Sequence, residues 1–245
     1  MTHPFLHAMT AGEIVVAGLR VYRDHFRLLM LVALLPHLAL LALELLLMAA
    51  GAGGDGALLA VLAATVVANA IALAALTVAT GRAVQGQEPS LVEVYAQTAR
   101  SRLGAVVLAY LATALVVSVG MLLLIVPGIA LGALFAPVVP AIVLERLGAL
   151  EGIARSVRLM RPHWLKGMVV FSWFILVAGF LPLYLLFLQV RMGTGPLTPL
   201  LSAIIGSVTL PLGFTSHVVL YVSLRADEAG AEAQLAAALE PPATE

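Results

Sequence analysis

Three ionisable residues stand inside long apolar runs of this sequence. His37 and Glu44 lie in "LLMLVALLPHLALLALELLLMAA" (28–50), and His217 lies in "GFTSHVVLYVSLR" (213–225). A histidine changes charge near neutral pH, and a carboxylate binds protons and cations. At the centre of a membrane helix such groups cost about 2.5–3.5 kcal/mol on insertion scales, so each one needs a reason. His37 and Glu44 are seven apart, close to two helical turns, which puts them on one face. His37 is nine residues past Leu28 and His217 eight before Arg225. At about 1.5 Å per residue both are roughly 12–14 Å deep from the same side. A His–His–Glu line would make a proton or cation path, or a polar clasp between first and last helices. The plainer alternative is a neutral imidazole bonded to a neighbouring helix and a Glu44 that snorkels to the surface. Asn69, in the second apolar run, reads as interhelical glue.

The other charged residues are concentrated. "LERLGALEGIARSVRLMRPHW" (144–164) holds four arginines and two glutamates in a chain that is 62% hydrophobic and 11% charged. A related pattern occurs three times: "EIVVAGLRVYRDHF" (13–26), "EVYAQTARSRL" (93–103) and "EGIARSVRLMRPHW" (151–164). Each places an arginine seven residues after its glutamate (Glu13–Arg20, Glu93–Arg100, Glu151–Arg158), with a second arginine following at Arg23, Arg102 or Arg161. His25-Phe26 and His163-Trp164 sit at matching offsets; the middle copy lacks that pair. In the third copy Leu150, Ile153, Val157 and Met160 recur at helical spacing. That predicts an amphipathic interfacial helix with Glu151, Arg155 and Arg158 turned away.

These segments need elements to carry them. Mean hydropathy is +1.08, and several apolar runs exceed the roughly 18–20 residues that span a bilayer. Six segments emerge, near 28–50, 57–80, 103–126, 129–145, 167–190 and 198–224. Without the alternation of a barrel strand they predict helices, hence an all-α polytopic membrane protein of six transmembrane and three interfacial helices. "GAGGDG" is a hairpin turn, Val126-Pro127-Gly128 a second reversal, and Pro137 and Pro140 predict a kink in the fourth crossing. Residues 1–225 form one membrane domain built of repeats 10–82, 88–146 and 148–225, with an acidic tail at 226–245. Duplication would explain the repeats, and so would the tendency of basic residues to flank helix starts. The tail either docks on the basic helices or stays solvated.

With the N-terminus in the cytoplasm, twelve of the thirteen basic residues fall inside and only Arg191 outside. No basic residue precedes Arg20, so the first apolar run reads as a retained helix rather than a cleaved signal. The abundance of arginine over lysine suits a bacterial inner-membrane protein. Zero formal net charge gives no support to a nucleic-acid partner, and zero cysteines exclude disulfides and thiolate metal sites. No zinc, nucleophile-elbow or P-loop motif occurs, so no enzyme and no cofactor is expected. The arginines Arg20, Arg23, Arg100, Arg102, Arg155, Arg158 and Arg161 could fix topology, gather anionic lipid, or dock a partner membrane protein or second copy.

The chain also resembles the membrane-domain type of the glycerophosphoryl diester phosphodiesterases and its polytopic relatives. The resemblance lies in "YRDHFRLLMLVALLP" (22–36), "VPGIALGALFAPVVPAIVLERLGALEGIARSVRLMRPHW" (126–164) and "YVSLRADEAGAEAQLAAALE" (221–240). Its motif is carried by Pro127-Gly128-Ile129, Pro137, Glu145–Leu150 and Arg155-Ser156. In such proteins the phosphodiesterase chemistry belongs to a separate barrel of roughly 250 residues, for which this chain has no room. The resemblance therefore implies a membrane module without that activity. The expected function is a non-catalytic module organising anionic lipid or a partner at the cytoplasmic face; the alternative is a small transporter or channel using His37, Glu44 and His217.

Overall fold

The structure, a computed structural model, describes residues 9–180, 183, 184, 187, 191 and 197–225. The described residues form α1 (Ala11–Asp24), α2 (Phe26–Ala49), α3 (Asp55–Val84), α4 (Leu91–Arg100), α5 (Leu103–Leu123), α6 (Ile125–Phe135), α7 (Val138–Glu145), α8 (Ala149–Met160), α9 (Trp164–Phe174) and α10 (Leu197–Arg225). A 3₁₀ turn (Arg161–His163) joins α8 to α9, and a π-helical turn (Ile175–Gly179) extends α9. The described residues are all-helical, and six of their helical segments are long and apolar enough to cross a membrane. It is a multi-pass membrane protein. Residues 181, 182, 185, 186 and 188–190 of the expected fifth crossing, residues 192–196 and the acidic tail lie outside the described residues.

The three short helices α1, α4 and α8 each precede two crossings and start alike. The glutamates of the recurring pattern, Glu13, Glu93 and Glu151, occupy the third helical position and reach back to the N-cap. Glu13 accepts from the Thr10 backbone N–H at 2.7 Å, Glu93 from Ser90 at 3.0 Å and Glu151 from Gly148 at 2.8 Å. Thr10 and Ser90 complete the box by accepting a backbone N–H in return, which Gly148 cannot do. Burial follows the same offsets: one residue on from each glutamate (Ile14, Val94, Gly152) and five on (Gly18, Thr98, Ser156) the side is closed. The His-aromatic pairs are also equivalent. His25 and His163 each break the helix at φ −116° and −118°, and each sets Nδ1 3.3 Å from the carbonyl oxygen four residues back.

Small residues decide how these helices dock. A Cβ on Gly18 would meet the Ser216 backbone nitrogen at 2.8 Å, so α1 presses onto α10, where the Tyr22 hydroxyl donates to the Val208 carbonyl at 3.1 Å. α8 follows the sequence expectation in part: Met160 is buried, Ile153 and Val157 are half-buried, and Glu151 and Arg158 are exposed. Leu150, at 81% exposed, and Arg155, which turns toward the bundle, depart from it, and Gly152 and Ser156 are the other residues that face inward. Gly152 lets Ile142 of α7 approach, and the Ser156 hydroxyl donates to the Leu134 carbonyl at 2.7 Å. The buried arc follows side-chain size and hydrogen bonding as well as hydrophobicity, as in helix packing within lipid.

The second reversal is also made differently. The turn falls at Leu124, whose extended φ of −156° separates α5 from α6, and Pro127 sits in the first turn of α6. Gly128 serves close approach: a Cβ there would lie 2.5 Å from the Met121 backbone nitrogen. Pro137 does break the fourth crossing, between α6 and α7. In the first hairpin Gly51 and Gly54 adopt positive φ, which glycine reaches without the clash of a Cβ. α10 is the most enclosed crossing, packed on α1, α2, α3 and α9, while α5 lies at the edge against α3, α6 and α7.

Candidate functional site

At the arginine-rich end, three cations are consumed inside the fold. Glu145, the last residue of α7, accepts from Arg155 Nε at 3.0 and 3.1 Å through its two carboxylate oxygens, and from the Tyr221 hydroxyl. Arg225 Nε stands 3.6 Å from the same carboxylate, and its Nη1 donates to the Tyr221 hydroxyl at 3.3 Å. Arg225 is buried, and Glu145 and Arg155 are largely enclosed. One carboxylate therefore joins the ends of α7, α8 and α10. Arg146, which follows it, adopts a left-handed conformation to turn the chain toward α8. Sequence reasoning missed this hub, although Tyr221 and Arg225 are spaced four apart on one helix face, which is a legible signal.

Arg82, at the end of α3, is the third. It is buried, and its Nη1 pairs with Glu93 Oε2 at 3.3 Å, while its Nε and Nη2 have no hydrogen-bond partner among the described residues. The Ser90 backbone N–H donating to Glu93, then the Ser90 hydroxyl and the charge of Arg82, hold the Glu93 carboxyl below the usual carboxylate range. Tyr95 of α4 donates its hydroxyl to the Val32 carbonyl at 2.6 Å, and burial pushes its pKa up to about 12. α4 is thus tied to both α2 and α3.

The remaining arginines of this end face outward. Arg20, Arg27, Arg100, Arg102, Arg146, Arg158 and Arg161 are exposed and have no acidic partner among the described residues. They come from the ends or starts of α1, α2, α4, α5, α7 and α8, so they ring the same end of the bundle. Arg23 is exposed but lies 2.9 Å from Asp24. Of the seven sequence candidates, Arg155 alone is drawn into the interior.

The intramembrane trio is not brought together. His37 is half-buried, its Nδ1 2.6 Å from the Ala33 carbonyl oxygen, and its Nε2 would lie 3.2 Å from a Cβ on Gly206. His217 is eleven residues further along that same α10, close to three helical turns away. The equal depths assume parallel, unbroken helices, but Pro211 lies within α10 and α2 meets α10 at Gly206. Glu44 sits two turns beyond His37, toward the opposite end, half-buried. Asn69 donates to the Thr65 carbonyl at 2.9 Å in its own helix rather than across an interface.

His217 instead lies among rings. Phe174 is 4.9 Å away edge-on, Phe171 is 6.2 Å away edge-on, and Phe214 stacks at 5.6 Å. Its Nδ1 has no partner within hydrogen-bond geometry, although the Gly213 carbonyl lies one turn back. The ring borders a cavity of about 250 Å³ between α3, α5, α6, α7, α9 and α10. No group of acidic and histidine side chains able to hold a metal ion occurs among the described residues. Comparison with protein-family models, with curated proteins and with solved structures finds no match.

Proposed function

We propose that this protein is a non-catalytic membrane module of the bacterial inner membrane that gathers anionic lipid at its arginine-rich, cytoplasmic end. The observation that carries the reading is the ring of seven exposed arginines without acidic partners among the described residues, standing on the ends of helices at the level where headgroups would lie. Arginine offers a fork of donors suited to phosphate, and each basic residue near an anionic leaflet contributes about 1 kcal/mol. Six crossings already anchor the chain, so this charge is redundant for attachment and available for selection among lipids. Glu145, Gly148, Arg155 and Ser156 serve to seat α8, leaving Arg146, Arg158 and Arg161 outward. The transporter alternative has no comparable support, because His37 meets α10 at Gly206, eleven residues from His217.

Trp164, 47% exposed beside Arg161, is a built-in reporter of the lipids at this end. In vesicles carrying a trace of headgroup-labelled lipid, energy transfer from tryptophan should be stronger to labelled phosphatidylglycerol than to labelled phosphatidylcholine. The preference should shrink in an Arg100→Gln, Arg102→Gln, Arg158→Gln, Arg161→Gln variant. Equal transfer to both lipids in the unmodified protein would defeat the proposal.

A further inference from the structure

The 250 Å³ cavity beside His217 belongs to no part of the lipid-gathering surface. It lies between α5 and the α9–α10 pair, and α5 is the helix that builds its open side. Along α5, Tyr110, Thr113, Ala114, Val117 and Ser118 line the cavity, while Leu108, Leu111 and Leu115 are exposed on the other side. That stripe is spaced three, four, seven and eight residues from Tyr110, one helical face. Its residues leave space in front of them that no neighbouring side chain fills. α6 packs on both α5 and α9. Ser118 lines the cavity and is itself exposed, so the cavity opens alongside α5.

The lining specifies a chemistry. It contains no charged side chain, which excludes a phosphate headgroup and any free ion. Its polar groups are the Tyr110 and Ser118 hydroxyls and the His217 imidazole, three potential donors. The Thr113 hydroxyl is occupied, donating to the Ala109 carbonyl at 2.7 Å. Phe171, Phe174 and Phe214 supply ring surfaces, and Gly132 lets the Phe171 ring lie directly against α6. An apolar cavity little more than half this size is enough to bind benzene. The space here therefore suits one ring bearing a few small substituents.

Depth narrows it further. Tyr110 is seven residues from the start of α5, Phe171 seven from the start of α9 and His217 eight before the end of α10. All three stand about two helical turns from the arginine-rich ends of their own helices, within the apolar segments long enough to cross the membrane. A ligand there arrives through the membrane, uncharged.

We propose that this cavity binds the carbonyl-bearing ring of a membrane-soluble lipid, a quinone-type head whose tail leaves alongside α5 past Ser118. The ring lies among Phe171, Phe174 and Phe214, and its carbonyl oxygens accept hydrogen bonds from Tyr110 and His217. Ser118 extends the polar edge of the cavity. The proposal stands apart from the lipid preference of the arginine ring, and either holds without the other.

The test uses the full chain carrying Trp164→Phe in detergent micelles, so that Trp173, on α9 beside Phe174, is the one tryptophan left. The probe is a dimethoxy-methyl-benzoquinone with a single prenyl unit, which quenches tryptophan on contact. The control is the same prenylated ring without carbonyls, used as competitor. Saturable quenching is expected, with affinity reduced roughly three- to ten-fold by Tyr110→Phe and by His217→Phe, the effect of one lost hydrogen bond each. Ala114→Phe, on the peripheral α5, should fill the cavity and abolish binding without lowering the unfolding temperature. Non-saturable quenching, equal affinity for the carbonyl-free ring, or binding undiminished by Ala114→Phe would each overturn the proposal.

Discussion

Glu145→Ala removes the one carboxylate that ties α7 to α8 and α10. Its loss takes from Arg155 Nε the two carboxylate oxygens at 3.0 and 3.1 Å, takes the acceptor from the Tyr221 hydroxyl, and removes a charge 3.6 Å from buried Arg225. Breaking a buried ion pair by removing one partner costs about 3–5 kcal/mol. Glu145 and Arg155 keep 19% and 18% of their surface, so water screens them in part. The expected penalty is therefore about 3 kcal/mol, the lower end of that range. Glu145→Gln retains an acceptor but not the charge and should fall between the unmodified protein and Glu145→Ala. The assay is equilibrium unfolding in mixed micelles followed by tryptophan fluorescence, with Arg23→Ala as reference. Arg23 forms an exposed pair, with 78% of its side chain accessible. Such pairs contribute about 0–1 kcal/mol. Because Glu145 and Arg155 act on each other, the double variant Glu145→Ala, Arg155→Ala should cost less than the two single changes added, by about 1–3 kcal/mol. A Glu145→Ala penalty no larger than that of Arg23→Ala would refute the hub.

Arg146 carries the strain of a left-handed residue with a Cβ. Arg146→Gly should raise stability by about 1 kcal/mol in the same assay. Gly128→Ala would set a Cβ 2.5 Å from the Met121 backbone nitrogen, whereas the space around Gly104 is open. The first change should cost about 1–3 kcal/mol, and Gly104→Ala should be neutral or slightly stabilising. For Tyr95 the folded protein favours the neutral phenol. The stability it contributes is complete below its ordinary pKa of 10.0 and is lost as pH rises through about 12. The stability gap between the unmodified protein and Tyr95→Phe should therefore close across that window in alkaline unfolding curves. Glu93 has the opposite sign: its lowered pKa contributes stability above the ordinary carboxylate value of 4.5 that is lost as pH falls through the lowered one. Acid titration of the unmodified protein against Glu93→Gln, followed by circular dichroism, should show it.

The crossings were legible because six apolar runs of the right length admit little else, and Pro137 marked its own break. The recurring glutamates were legible as a pattern but not as a cause; their role as capping residues appears once Thr10, Ser90 and Gly148 are seen to precede them by three. In α8 apolar spacing placed Met160 rightly but not Leu150 or Arg155, because docking in a helical membrane bundle is set by Gly152 and Ser156 as well. Pairing His37 with His217 failed for a related reason. Depth along an ideal helix says nothing of which neighbour a side chain meets, and Gly206 opens the place His37 takes. The Glu145 hub and the cavity depend on residues far apart in sequence, Tyr221 with Glu145 and Tyr110 with His217, which periodicity within one segment does not reveal.

The arginine ring is tested most directly by native mass spectrometry of the protein released from a membrane of mixed phosphatidylglycerol and phosphatidylethanolamine. The account predicts retained phosphatidylglycerol in excess of its share of the membrane, falling toward that share when Arg100, Arg102, Arg158 and Arg161 are changed to glutamine. Retained lipid that mirrors the membrane composition in both proteins would contradict it.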